Sequence, residues 1–172
     1  MDFMELAEKR YSVRKYESRP VEQGKIDLIL EAGRIAPTAA NLQPQRILAV
    51  ISEDGLMKLR KAANVFGAPL AFIVCADHSL SWKRNYDGMD AAVIDATIVT
   101  THMLLEAADL GLGSLWVCHF KPGVVKAEFN IPDGVEPVNI LGIGYAAGVA
   151  KSPDRFVTER KPLADTVRFE SF

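Results

Sequence analysis

Cysteine and histidine are scarce here, with two and three copies in 172 residues. Cys75 and Cys118 lie far apart in apolar runs, and none of His78, His102 and His119 stands at metal-ligand spacing from them. That gives no zinc motif and no disulfide framework. The two thiols could pair, but their apolar flanks favour small buried groups in a reducing compartment. Charge of one sign is not in excess either: 20 Lys and Arg stand against 22 Asp and Glu, a net charge of −2. There is no electrostatic case for nucleic acid or an anionic membrane. The chain also lacks a Walker loop, a nucleophile elbow, repeats, low-complexity tracts and a linker. Gly142-Ile143-Gly144-Tyr145-Ala146-Ala147 matches G-x-G-x-x-A, yet Ser152-Pro153 follows instead of an amphipathic helix, which excludes a dinucleotide fingerprint. The start, MDFMELAEKR, mixes acids with apolar residues and has no h-region, so no signal peptide is expected and a cytoplasmic setting is. No protein nucleophile, acid–base pair or metal set is evident. If the chain is an enzyme, a cofactor carries its chemistry.

What is present is apolar residue, 49% of the chain, enough for a real core in one domain spanning 1–172. Its centre is predicted at about 90–110, within GMDAAVIDATIVTTHMLLEAADLG, with Asp90 as N-cap and Gly111 as C′ residue. Asp95, His102, Glu106 and Asp109 fall on one stripe at 100° per residue, and every other face is apolar or small. Ionisable groups at these depths argue against a membrane span. A core helix partly shared with a second subunit is the reading.

Around it, helices are expected over 2–10, with Phe3, Leu6 and Ala7 inward, and over 21–33, 54–63 and 122–129. Strands are expected over 46–51, 70–76, 114–119 and 137–144. The tail after 150 is charged, and Thr166-Val167-Arg168-Phe169 alternates like an edge strand that could wrap a partner.

Three stretches could carry chemistry. In Arg10-Tyr11-Ser12-Val13-Arg14, alternation sets Arg10, Ser12 and Arg14 on one side, a good anion site. A solvated basic turn is the other reading. Ala36-Pro37-Thr38-Ala39-Ala40-Asn41-Leu42-Gln43-Pro44 is rich in small residues, and Asn41 and Gln43 offer donors and acceptors to a heterocycle edge. It reads equally as a rigid connection. The polar loop 77–87 holds Trp82 and Tyr86, which could stack on a substrate or plug the core.

With Leu104 to Ser114 (LLEAADLGLGS) and Arg160-Lys161-Pro162-Leu163, the first two stretches form a set of four in order. This set resembles the FMN-dependent nitroreductase family, and the match covers essentially the whole chain. The resemblance implies an α+β fold, with a mixed sheet flanked by helices, and an interlocked homodimer with flavin at each side of the interface. The tail from about 150 to 172 would wrap the partner. The implied activity is ping-pong transfer of hydride from NAD(P)H, through flavin N5, to an electron-poor acceptor such as a nitroaromatic or quinone. Arg10, Ser12 and Arg160 would hold the FMN phosphate, and Arg14 would approach the pyrimidine edge. Pro37, Thr38, Ala39 and Asn41 would reach the flavin from the partner, with Asn64 near the ring's polar edge. Trp116, Val117 and Cys118 would lie by N5, the backbone N–H of Cys118 bonding to it. No metal is implied. The chain departs from the family at Gln45, at Cys118-His119 and at Thr158, and it lacks the extra helices of longer members. A dehalogenating or flavin-destroying relative, or a flavin-binding module without turnover, stays open beside the main reading.

Overall fold

The computed structural model describes residues 2–172. Strand β2 (Leu70–Asp77) runs through the middle, because nearly all its side chains are apolar and both its faces are covered. Leu70, Phe72, Val74 and Ala76 enter one core, while Ala71, Ile73 and Cys75 enter the other. The remaining strands are β1 (Gln45–Val50), β3 (Gly113–Val117) and β4 (Val135–Gly144), in the order β1-β2-β4-β3. Helices α2 (Gln23–Ile35) and α4 (Ala92–Asp109) cover one face. Helices α3 (Glu53–Arg60) and α5 (Pro122–Phe129) cover the other. Helix α1 (Phe3–Lys9) leads the chain, and the short helices α6 (Arg155–Thr158) and α7 (Leu163–Thr166) lie in the tail.

The α+β class is as expected, but the sheet is not mixed: all three strand pairs are antiparallel. The α4 crossover does make β2 and β3 parallel in direction. The last strand then slots between them, so each pairs with β4 instead. The parallel pairing present among the described residues is a single bridge, Ser12 with Ser114.

Helix α4 begins and ends as its sequence signals. The Asp90 carboxylate accepts the N–H of Ala92 at 2.8 Å, one residue outside the helix's own N-cap, Ala91. At the other end Gly111 sits at φ +77°, and the N–H groups of Gly111 and Leu112 bond to the carbonyls of Ala108 and Ala107. This left-handed C′ closure suits glycine. Of the four ionisable residues on the stripe, Asp109 alone is exposed. Asp95 is 1% exposed and His102 and Glu106 are half-buried, whereas Val93, Ile94, Thr97 and Thr101 face out. Burial, reinforced by Asp109, holds the Glu106 carboxyl above its ordinary pKa. Among the described residues no helix is long and apolar enough to cross a membrane.

Two expectations at the ends are corrected. Phe3 points outward, while Leu6 and Ala7 are half-buried. Thr166 to Phe169 forms no strand. Pro162 starts the turn of α7, and the Arg168 guanidinium caps the carbonyls of Ala164 and Val167.

Candidate functional site

Helix α1 stops because the chain turns extended at Arg10 (φ −65°, ψ 129°). The next residues are clamped between β3 and the chain leaving β4. The Val13 N–H donates to the Ser114 carbonyl at 2.9 Å, and the N–H groups of Glu17 and Ala147 bond to the carbonyls of Tyr145 and Lys15. Val13 is buried against Gly113, where an added Cβ would lie 2.7 Å from its Cγ2. With Val13 inward, alternation turns Ser12 and Arg14 outward.

The Arg10 guanidinium lies close enough to Arg155 and Arg160 for their charges to act on it. Burial first, and then Arg155 and Arg160, lower its pKa from the ordinary arginine value. Arg155 and Arg160 both pack on the Phe156 ring, 4.2 and 5.7 Å from its centroid. A cleft of about 300 Å³ opens beside Arg10, lined also by Lys9, Gly111, Ser114 and Ala146. The Ser114 hydroxyl, buried in its wall, has no hydrogen-bond partner among the described residues.

A second group forms beyond the end of β3. A bridge between Ala63 and Phe120, and an N–H of Lys121 on the Ala62 carbonyl at 3.0 Å, bring Asn64 to the segment after Cys118. Asn64 and His119 share a cleft with Arg60 and Lys121. The Asn64 side chain accepts the Phe66 N–H at 2.8 Å, and Arg14 lies 5.9 Å from the Phe66 ring centroid. Trp116 is half-buried and donates its indole N–H to the Cys118 sulfur at 3.1 Å, while Val117 is buried. Cys118 is exposed, and Cys75 is the buried thiol, pushed up to about 11 by desolvation.

The 37–41 segment is a rigid loop. Ala40, Asn41 and Gln43 all take positive φ, and the Thr38 hydroxyl accepts the Gln43 N–H at 3.1 Å. Asp95 anchors it, accepting the Ala39 N–H at 2.9 Å. Asp95 lies in the first turn of α4, whereas Ala108 in the Arg10 cleft lies in the last. At 1.5 Å per residue the two ends stand roughly 20 Å apart along the helix. One chain therefore gathers Arg10 with Arg160, Ser12 with Ser114, and Arg14 with Asn64. It leaves Pro37, Thr38, Ala39 and Asn41 at the far end of α4.

Trp82 and Tyr86 sit on a closed hairpin. Lys83 bridges Asp90, Arg84 pairs with Asp87, and the Ala91 N–H bonds to the Trp82 carbonyl at 3.0 Å. Trp82 is half-buried and Tyr86 is 97% exposed. Among the described residues no grouping of His, Cys, Asp and Glu could hold a metal ion. Sequence reasoning missed Arg155 and Ser114 as members of the site. Ser114 carried a faint signal in its LGLGS context, and Arg155 none beyond its place in a charged tail.

The sequence profile of the Nitroreductase family matches residues 7–65 and 55–145. The chain belongs to the nitroreductase family. A solved nitroreductase family protein of Clostridium difficile 630 shares 47% identity, covers 100% of both chains and superposes with a TM-score of 0.98. An FMN-dependent nitroreductase of Clostridium difficile R20291 shares 26% identity over 99% of this chain and 100% of its own, at a TM-score of 0.80. A Methanothermobacter thermautotrophicus protein, provisionally named an NADH dehydrogenase/NAD(P)H nitroreductase, is 32% identical over 93% of this chain and 85% of its own length. Within this nitroreductase fold, the arginine cluster and the end of β3 lie on the open side of the edge strand.

Proposed function

We propose that this nitroreductase family chain is a homodimeric, cytoplasmic FMN-dependent oxidoreductase, with a flavin site at each side of the subunit interface. The observation that carries the reading is the meeting of Arg10, Arg155 and Arg160. Three guanidiniums crowd together, and those of Arg10 and Arg160 make no hydrogen bond or ion pair among the described residues. Such a cluster suits a phosphate dianion, which accepts from several arginines at once. Bound FMN would supply the redox chemistry, a ping-pong passage of hydride from NAD(P)H to an electron-poor acceptor such as a nitroaromatic or quinone.

The chain's own residues bind and orient. Arg10, Arg160 and the Ser12 hydroxyl would hold the phosphate. Arg14 would set a fixed cation toward the pyrimidine edge, where reduction places negative charge. Asn64 lies on that side. Backbone groups of Ser114 point away from β4 toward Val13, and the two-residue period gives Trp116 the same outward direction. The period continues to Cys118, whose N–H would hydrogen-bond the flavin, with Val117 buried beneath. Pro37, Thr38, Ala39 and Asn41 stand too far along α4 to serve their own subunit's site, which supports their contribution from the partner. The tail from about 150 to 172 would reach across the same interface, and Trp82 and Tyr86 would line the substrate opening.

The experiment is an absorption spectrum of the purified protein with the released chromophore identified, followed by anaerobic bleaching with NADH and NADPH. FMN near one per subunit, with repeated turnover on a quinone or nitroaromatic, is expected. A colourless protein that takes up no added FMN overturns the reading. Bound FMN without turnover would instead mark a flavin-binding module.

A further inference from the structure

We propose that Arg155 is a positioning residue for the phosphate site: it pins the C-terminal tail to the end of α1 so that Arg10 and Arg160 face one anion. The inference rests on the FMN reading above. A guanidinium has five N–H donors. Four of Arg155's hydrogen bonds go to backbone carbonyls. Its Nη2 donates to Glu8 at 2.7 Å and to Arg10 at 2.9 Å, and its Nη1 donates to Lys151 at 3.2 Å and to Ser152 at 2.8 Å. The first pair closes α1, and the second opens the tail. One planar group thus joins chain segments from opposite ends of the sequence.

This use of donors separates the roles of the three arginines. Arg155 keeps only Nε–H uncommitted, so it cannot offer a phosphate the two parallel donors of a fork. The side chains of Arg10 and Arg160 make no hydrogen bond among the described residues, so their forks are free. The Phe156 ring, shared by Arg155 and Arg160, fixes the spacing between frame and ligand. An anion between Arg10 and Arg160 relieves their repulsion with Arg155. Phosphate binding and tail docking therefore strengthen each other reciprocally. A flavin without a phosphate gains nothing from the arrangement.

The test compares FMN with riboflavin, which lacks the phosphate, on the full-length protein by flavin fluorescence. Limited trypsin cleavage after Lys151 and Arg160 is followed in parallel. Arg155→Ala is expected to weaken FMN roughly tenfold or more while changing riboflavin by less than about twofold. Arg155→Lys keeps the charge but cannot span four carbonyls, so it should recover only part of the loss. FMN, but not riboflavin, should slow tail cleavage in the wild type. Equal weakening of both flavins, full rescue by lysine, or tail cleavage indifferent to FMN would each overturn the proposal. Should Arg155→Ala fail to fold, the lysine variant and the wild-type protection decide. A wild type that binds no FMN defeats the functional reading itself, which is a separate result.

Discussion

Asp95 accepts the Ala39 N–H at 2.9 Å through one carboxylate oxygen, while its other oxygen is buried without a hydrogen-bond partner among the described residues. One bond thus ties a loop with three left-handed residues to the helix at the centre of the fold. Asp95→Ala removes the acceptor and should cost about 1–3 kcal/mol. A thermal melt would then fall by about 2–4 °C for each kcal/mol lost, as for other chains of this size. Asp95→Asn keeps the acceptor, so calorimetry should show the smaller loss. An alanine variant as stable as wild type would remove the anchoring role.

Arg14 lies beside Phe66, on the Asn64 side of the site. Arg14→Gln should lower the flavin midpoint potential, because the reduced, anionic form loses a fixed cation. A loss of about 1 kcal/mol corresponds to roughly 20 mV for a two-electron couple. Redox titration of the variant against wild type checks it, and an unshifted potential would place Arg14 away from the ring.

His78 holds the start of the 77–87 loop between two carboxylates. Its Nδ1 is 2.9 Å from Asp90 and its Nε2 is 2.7 Å from Glu136. These two hydrogen bonds raise its pKa above the ordinary 6.5. The stabilisation is therefore complete below pH 6.5 and fades as pH climbs through the raised value. Asp90 works in the opposite direction. Hydrogen bonds from Ser81, the Ala92 N–H and His78 bring its pKa to about 2, so its contribution holds above its ordinary 3.8 and fades toward pH 2. Melting temperatures of wild type and His78→Ala should converge as pH rises from 6 toward 9. A difference that stays constant would show that the clasp is insensitive to the histidine's charge.

The two thiols should differ sharply toward iodoacetamide. Cys75 is buried with its pKa pushed up to about 11, whereas Cys118 is exposed. Mass spectrometry should find Cys118 alkylated first, and FMN should slow that labelling if the end of β3 lies against the flavin. Labelling of Cys118 at one rate with and without FMN would move the ring elsewhere.

Much of the fold could be read from local signals. The apolar run at 70–76 could only be a strand buried on both faces. Gly111 could close a helix because it tolerates positive φ, and α5 spans Pro122–Phe129 as its proline start suggests. Sheet order was not legible. Nothing in the 135–144 segment says that it will insert between two earlier strands, since that choice is made by packing. The Thr166–Phe169 alternation was too short to tell a strand from a helical turn, and Pro162 decided it. In the candidate site, alternation set Arg10, Ser12 and Arg14 on one side, whereas Arg160 entered only through the resemblance to a known family. Arg155 showed in neither way, because its guanidinium hydrogen-bonds to backbone carbonyls alone, and a carbonyl leaves no trace in a sequence.

Strand β3 ends the sheet. Its inner side is paired with β4, and its outer side receives Val13 at Ser114. From Trp116 onward that rim offers open backbone groups, the kind of edge along which chains stick to one another. A ligand seated there would act as a guard as well as a reactant. Cells short of flavin would then hold a protein with that border bare, and cofactor supply would bear on its solubility as well as its chemistry.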